Sequence, residues 1–552
     1  MSAGVNPVLR RHEANDSEER MNFFSSKWFL LVVFCLVQVL TTTDNMTLSN
    51  AMSAIVESFH TSVAALQTAN AIYPLVASAT MIVFGLLGVR WGWKRLLQLG
   101  VIALAVGEVI AAASPGVIVF TYIARVLTGL GASMAIPAVL ALTANMFQGR
   151  ELVFAFGALG AASGIAAAAG PVGSGLVIVG LGWRWAFWIL AGLFVLTFFG
   201  TLGLQVQHNR PTSANFDVLG SILATVGLVT LVFGLLMVTS WGLVTPVHAP
   251  FTIFGISPCG FLLVGSAFVF FLFLGWERHR ESSGLSVLMP RAFRNTPEVR
   301  AGLYMNAVVF FVMGSFSFVI ITYLQIVLAY DAVQSGAVFS VYAVGMVVFS
   351  MGTPAMFKGV SPRRICQGGI LVLAFSSLWL AYGLQTSVTN PSLLVGLFLA
   401  GVGSGLVASQ CSSVIAVAIP QSLAEQSGGV QGTARNVGQT LGVAIVGAIL
   451  IGGLTQSIKD QVHIDKLVGP EMQARIALVK EANFLSNQDA RRYLEAQKLP
   501  QEQVAQLMDI NQRARLQAAR MSVLGMGALC LLFLFPTASL PHQERREAGA
   551  RT

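Results

Sequence analysis

Residues 85–97 read GLLGVRWGWKRLL. Upstream, the run from 58 to 89 contains no Asp, Glu, Lys or Arg, and downstream Glu108 is the only charge before Arg125. A helix needs about 20 apolar residues to cross roughly 30 Å of hydrocarbon. A short basic turn joining two such runs therefore reads as a cytoplasmic loop between membrane helices. Its glycines, Gly85 and Gly92 among them, permit close helix approach. Arg90, Lys94 and Arg95 place cations at helix ends, where they are favourable.

The whole chain has the same character. Of its 552 residues, 55% are hydrophobic and 10% charged, against roughly 25% charged in soluble domains. Mean hydropathy is +0.73. The fold class is an all-α polytopic membrane protein, and fourteen helices are expected. They start near Lys27, Val63, Leu96, Val117, Glu151, Trp183, Val218, Ile253, Ala301, Ala332, Ile365, Leu393, Ser427 and Met521. Residues 1–26 are polar, of mixed charge and without a cleavable signal pattern, so they are expected to form a cytoplasmic tail.

Placing the N-terminus inside leaves Arg184 as the sole Lys or Arg in the short outer loops, against twenty in the inner segments. That asymmetry obeys the positive-inside rule. Residues 541–552 then form a second cytoplasmic tail. The net charge of +9 belongs to loops facing anionic lipid, so the bilayer is a partner. Nucleic acid is not, for want of a compact basic domain. The five cysteines form no CxxC pair and the seven histidines lie near segment ends or in loops. Neither a disulfide framework nor a metal site is suggested, and transmembrane proton transfer falls to carboxylates.

Two halves echo each other. GLGAS at 129–133 pairs with GVGSG at 401–405, and the basic loop near Arg90 pairs with Lys358-Gly359 and Arg363-Arg364. The expected domains are a six-helix bundle over 27–206, two inserted helices with cytoplasmic linkers over 207–298, and a second six-helix bundle over 299–540. Internal repeats of this kind mark transporters. The second bundle includes an extracytoplasmic loop, 456–520, which reads as a helical hairpin. It is a candidate contact for a periplasmic adaptor, or else a solvated cap.

Family motifs then appear in order. Gly85, Leu87, Arg90, Gly92, Lys94 and Arg95 resemble the major facilitator loop signature G-x-L-x-D-R-x-G-R-R, with Val89 at the aspartate position. YIARVLTGLG at 122–131 resembles its helix 4 signature through Arg125, Gly129 and Gly131. GIAAAAGPVGSG at 164–175 resembles its helix 5 antiporter signature through Gly164, Gly170, Pro171 and Gly173. WRWAF at 183–187 and GTARNVGQTLG at 432–442 also resemble this group. Together they resemble the EmrB/QacA-type fourteen-helix drug:proton antiporters of the major facilitator superfamily. The resemblance implies two six-helix bundles with two helices inserted. It also implies a secondary active exporter in a bacterial inner membrane, conferring antibiotic resistance, driven by the proton gradient without a cofactor.

VLTTTDNMTLSNA, residues 39–51, supplies the candidate coupling site. Asp44 is the only charge between Lys27 and Glu57, and a mid-membrane Asp costs about 2.5–3.5 kcal/mol on insertion scales. At 1.5 Å per residue it lies ~25 Å up helix 1. Arg125 lies ~12 Å below the outer end of helix 4, at a matching depth. The resemblance implies that both helices line a central cavity, so Asp44 and Arg125 are expected to interact directly or through water. Hydrocarbon favours the protonated acid and the guanidinium favours the carboxylate. Gain or loss of one proton would then alter helix packing and drive small amphipathic or cationic compounds outward. The bland reading is a structural ion pair.

Glu108, ~18 Å up helix 3, is a second candidate for coupling. It faces a neighbouring helix or lipid, because helix 3 is usually peripheral in the implied fold. Asn45, Asn70, Tyr73, Tyr323, Gln325 and Arg435 are the substrate-cavity candidates. No G-x(4)-G-K-S/T loop, HExxH or G-x-S-x-G motif occurs, so ATP-driven export and enzymatic chemistry lack support. The rival readings are a facilitator of a specialised lipid, siderophore or metabolite, and a non-transporting sensor.

Overall fold

A computed structural model describes residues 26–61, 63–204, 217–246, 249, 251–285, 287–385, 391–419, 427–464, 491, 494 and 501–540. Among these, fourteen helices are long and apolar enough to span a membrane. They are α1 (Lys27–Phe59), α2 (Val63–Trp91), α3 (Trp93–Ala113), α4 (Val117–Met146), α5 (Gly149–Leu181), α6 (Trp183–Thr201) and α7 (Val218–Trp241). There follow α8 (Pro258–Ser282), α9 (Pro297–Thr322), α10 (Ala332–Met356), α11 (Pro362–Gly383), α12 (Pro391–Ala418), α13 (Ser427–Ile464) and α14 (Gln501–Leu532).

Several starts have a visible cause. Pro258, Pro297, Pro362 and Pro391 open α8, α9, α11 and α12, where a missing N–H costs nothing. Asp217 caps α7 by accepting from the Gly220 amide at 2.9 Å. Asp331 and Gln334 form a capping box on α10, which satisfies two otherwise unpaired donors.

Two starts differ from expectation. α8 begins at Pro258 rather than near Ile253, because Ile253 and Ile256 close a small turn by paired backbone bonds. α14 begins at Gln501 rather than Met521. The expected loop 456–520 is correspondingly shorter. Its first residues continue α13 to Ile464, and its last twenty belong to α14. With 38 residues, α13 is about 57 Å long, well beyond a hydrocarbon core. In that extension Val462 packs on Leu507 and Ile510, and Ser457 donates to Gln517 at 2.8 Å. The expected helices around Ile476 and Val479 lie outside the described residues.

Each half buries its own core. One cluster runs from Leu30 to Leu204 and the other from Ala301 to Leu540, joined by Ala167 of α5. The halves meet where α5 packs on α10 and α12, and where α13 packs on α2 and α4. The inserted pair α7–α8 docks through α7 against α2 and α13, leaving Phe261, Val264, Phe268 and Phe271 of α8 exposed toward lipid. Beneath that pair, buried Asp217 also accepts from the Trp276 indole (3.0 Å) and pairs with Arg280 (3.4 Å). Buried Glu277 accepts from the Leu288 and Met289 amides.

Contacts confirm the up-and-down order. Lys27 and Glu151, at the starts of α1 and α5, form a 2.7 Å ion pair. Lys94 donates to the Leu204 carbonyl just past α6. At the opposite end the Arg184 guanidinium lies 4.3 Å from the Trp183 ring centroid and donates to the Ser114 carbonyl. Near the basic end the halves touch most closely. A Cβ on Gly85 would lie 2.9 Å from Gly429 Cα, and one on Gly428 2.4 Å from the Pro137 carbonyl oxygen. Ser350 donates to the Gly157 carbonyl across the seam at 2.6 Å.

Candidate functional site

The polar face of α1 is mostly self-satisfied. Thr41 donates to the Val37 carbonyl at 2.9 Å, Thr42 to Gln38 and Thr47 to Thr43. Hydroxyls can bond back along their own helix in this way. An ionised carboxylate cannot, because it only accepts. Asp44 therefore needs a donor from another helix. Arg125 provides it: Nη1 stands 2.6 Å from Asp44 Oδ1, with both side chains fully buried.

Local backbone helps set this contact. Phe120–Ala124 form a π-helical turn immediately before Arg125, a distortion common at functional positions. The guanidinium also lies 4.9 Å from the Tyr73 ring centroid, a cation–π distance. Tyr73 donates its hydroxyl to the Thr41 carbonyl at 3.2 Å.

Glu108 joins the pair. A Cβ on Gly107 would meet Thr128 Cγ2 at 2.5 Å, so the bare glycine lets α3 press against α4 one turn from Arg125. Glu108, fully buried, stands close enough to Asp44 and Arg125 to feel both charges. Among the described residues neither Glu108 oxygen has a donor, Asp44 Oδ2 has none, and Arg125 Nε and Nη2 have no acceptor. Two ionised carboxylates only accept, so neither can satisfy the other. With one proton the three groups are neutral; without it they carry one uncompensated negative charge in a low-dielectric interior. The lipid-facing position considered for Glu108 is thus corrected.

Beyond Tyr73 lies a cavity between the halves. Its lining includes Gln38, Thr41, Thr42, Asn45 and Tyr73 from the first half, and Phe310, Met313, Arg435, Asn436 and Gln439 from the second. A second, adjoining cavity shares Phe310 and Arg435 with it and adds Asn306, Cys411 and Ser412.

Of the expected cavity residues, Asn45, Tyr73 and Arg435 line it. Three others do not. Asn70 is half-buried on α2 with its amide oxygen unpartnered. Tyr323 sits in a π-helical turn, Tyr323–Val327, that ends α9, buried in the second half's core with its hydroxyl 2.7 Å from the Gln385 carbonyl. Gln325 shares that turn. Tyr323 and Gln325 stand in the turn that ends α9, about three turns beyond Phe310 and Met313, through which that helix lines the cavity. Gln38, Thr42, Asn436 and Gln439 were missed. Gln38-Thr41-Thr42-Asn45 repeat at helical spacing and mark one polar face of α1.

The motif glycines divide likewise. Gly129 abuts α2 near the Tyr73 carbonyl, Gly131 abuts Leu104 and Gly100 of α3, and Gly164 abuts Met346 of α10. Gly170 makes only ordinary contact with Thr43, and a Cβ on Gly173 would meet open space. The Pro171 carbonyl accepts from Asn50 at 3.1 Å. Gly92 has φ of +91°, a conformation glycine tolerates. Arg90 and Arg95 are exposed.

Residues 34–277 match the family described as Major Facilitator Superfamily. The fold agrees. The human organic anion transporter MFSD10 superposes with a TM-score of 0.57, covering 92% of this chain and 99% of that one at 13% identity. The family match spans less than half of the chain, which is similar to that superfamily and shares its fold. The chain is 27% identical to a probable actinorhodin transporter of Streptomyces coelicolor, covering 79% of this chain and 75% of that protein. It is 29% identical to the tetracenomycin C resistance and export protein of Streptomyces glaucescens, with 81% of each chain covered. A multidrug resistance protein, Stp, of Mycobacterium tuberculosis is 24% identical over 78% of this chain and 77% of its own length. These relatives, matched along most of the chain, are named for transport, export and drug resistance.

Proposed function

We propose that this protein is a major facilitator and a proton-coupled exporter of small amphipathic molecules of the antibiotic type, in the manner of the fourteen-helix drug:proton antiporters. One observation carries the reading: Asp44, Arg125 and Glu108 share a fully buried site holding two acids and one base. In this reading Asp44 and Glu108 take up one proton between them from the outer side, with both chain termini in the cytoplasm. Protonation frees Arg125 from one charge and loosens the α1–α4 contact. Tyr73 transmits the change, since one side of it meets Arg125 and it also lines the cavity. The names of the actinorhodin, tetracenomycin C and Stp relatives support export as the direction.

The contacts at the basic end support a state closed toward the cytoplasm. The α13–α14 projection would then stand outside the cell, where a periplasmic adaptor has access to it.

Everted membrane vesicles test the coupling. With an acid interior, wild-type vesicles are expected to accumulate tetracenomycin C, and to lose the accumulation when a protonophore collapses the gradient. Asp44→Asn vesicles should show little gradient-driven uptake. Equal uptake by wild type and Asp44→Asn under the same gradient would sink the proposal.

A further inference from the structure

The two central arginines are answered differently. Arg125 meets Asp44 and Glu108. Arg435, on α13, is 7% exposed. Among the described residues its polar partner is Ser163, whose Oγ accepts from Nη2 at a long 3.4 Å. Its Cζ stands 4.1 Å from the Phe310 ring centroid, which holds the guanidinium plane against an aromatic face.

A guanidinium has five N–H donors in a rigid fork that matches an oxyanion. Most of those donors have no protein acceptor here. Desolvating a cation without a counter-charge is costly, so the position calls for an anion from elsewhere. Both cavities open onto this one side chain, and no carboxylate lines either of them. The acids Asp44 and Glu108 are fully buried and do not line them. The remaining polar lining near Arg435 is uncharged: Asn306, Asn436, Gln439, Thr41 and Asn45. A cationic cargo would find no partner there and would face the repulsion of Arg435.

We propose that the cavity selects cargo bearing an acidic group on an aromatic frame (a carboxylate, sulfonate or ionised phenol), with Arg435 as its counter-charge and Phe310 against its ring. The proposal rests on the export reading and narrows its substrate class, discarding the cationic compounds expected from resemblance. Arg435 acts as a specificity determinant, and Asn436 beside it and Gln439 one helical turn along α13 supply neutral hydrogen bonds.

Equilibrium binding to the purified full chain in phosphatidylcholine nanodiscs tests it. Two xanthene dyes of similar shape serve as probes: fluorescein, an acid, and rhodamine 6G, a cation, both read by fluorescence anisotropy. Wild type is expected to bind fluorescein about tenfold or more tightly than rhodamine 6G. Arg435→Gln should weaken fluorescein about tenfold or more while leaving rhodamine 6G unchanged or tighter. Arg435→Lys, which keeps the charge, should retain most of the fluorescein affinity, and this rescue excludes loss through misfolding. Absence of saturable fluorescein binding, a preference for rhodamine 6G, or equal weakening of both dyes by Arg435→Gln overturns the inference.

Anionic lipid offers the same chemistry. If phosphatidylglycerol binds in an Arg435-dependent manner and fluorescein does not, the occupant is lipid and the cargo assignment falls. Binding needs no gradient, so the two proposals fail separately. Intact fluorescein selectivity without gradient-driven transport removes only the export reading. Gradient-driven transport with rhodamine 6G preferred removes only this one.

Discussion

Arg125 shows what a single buried side chain sustains. Removing one member of a buried ionic cluster typically costs about 3–5 kcal/mol, because the remaining charge is left uncompensated. Arg125→Ala leaves two buried carboxyls without a cation, and thermal unfolding in detergent should show the loss as a lower unfolding temperature. Glu108→Gln should behave oppositely: it removes one negative charge, keeps the Asp44–Arg125 pair, and should stabilise the bundle while lowering gradient-driven transport. Wild-type transport in Glu108→Gln would remove Glu108 from the coupling site. The Asp44–Arg125 contact was legible because helix rise put the two at matching depth and the family resemblance put their helices on one cavity. Glu108 was legible only as an isolated intramembrane acid. Its neighbours depend on how α3 is rotated, and that is set by the close approach at Gly107, which no periodicity reveals. Tyr323 was misplaced because nothing in the sequence says how far along α9 the cavity extends.

Helices carry two kinds of tight glycine contact, with different consequences. Gly401 of α12 faces α10 within one half, where a Cβ would lie 2.0 Å from the Tyr342 carbonyl oxygen. Gly428 of α13 faces α4 across the seam at 2.4 Å from the Pro137 oxygen. Overpacking a core typically costs about 1–3 kcal/mol. Gly401→Val should therefore lower the unfolding temperature in every conformation. Gly428→Val should penalise only the state in which the basic end is closed, abolishing transport with little change in unfolding temperature. Equal destabilisation by both variants would show that the seam does not open. Helix existence and most starts were readable because hydrocarbon thickness sets a minimum apolar length. α8 and α14 were the exceptions. The first twenty residues of α14 are polar enough to read as part of a hairpin outside the membrane, and they continue the spanning helix here with Val504, Leu507 and Ile510 buried, the latter two against Val462 of α13.

Across the whole molecule, transport requires that the two bundles move as separate bodies, and their separate cores agree with that. Gly160 and Ser350 lie on opposite bundles, with Ser350 Oγ 2.9 Å from where a Gly160 Cβ would stand. Gly160→Cys combined with Ser350→Cys, in a background lacking the five native cysteines, should lock the seam on oxidation. Flux should stop and return on reduction. The bundle plan was visible in the repeated glycine and basic motifs; the cavity between the bundles was not, because it is made by residues far apart in the chain whose facing is fixed only by assembly. One element joins that cavity to the surface. Arg435 and Val462 sit on the same unbroken helix, 27 residues and about 40 Å apart. A stiff rod of that length is a lever. An antibody fragment clamping its far tip would be expected to twist the cavity wall at Arg435, and a change in transport rate on clamping checks this.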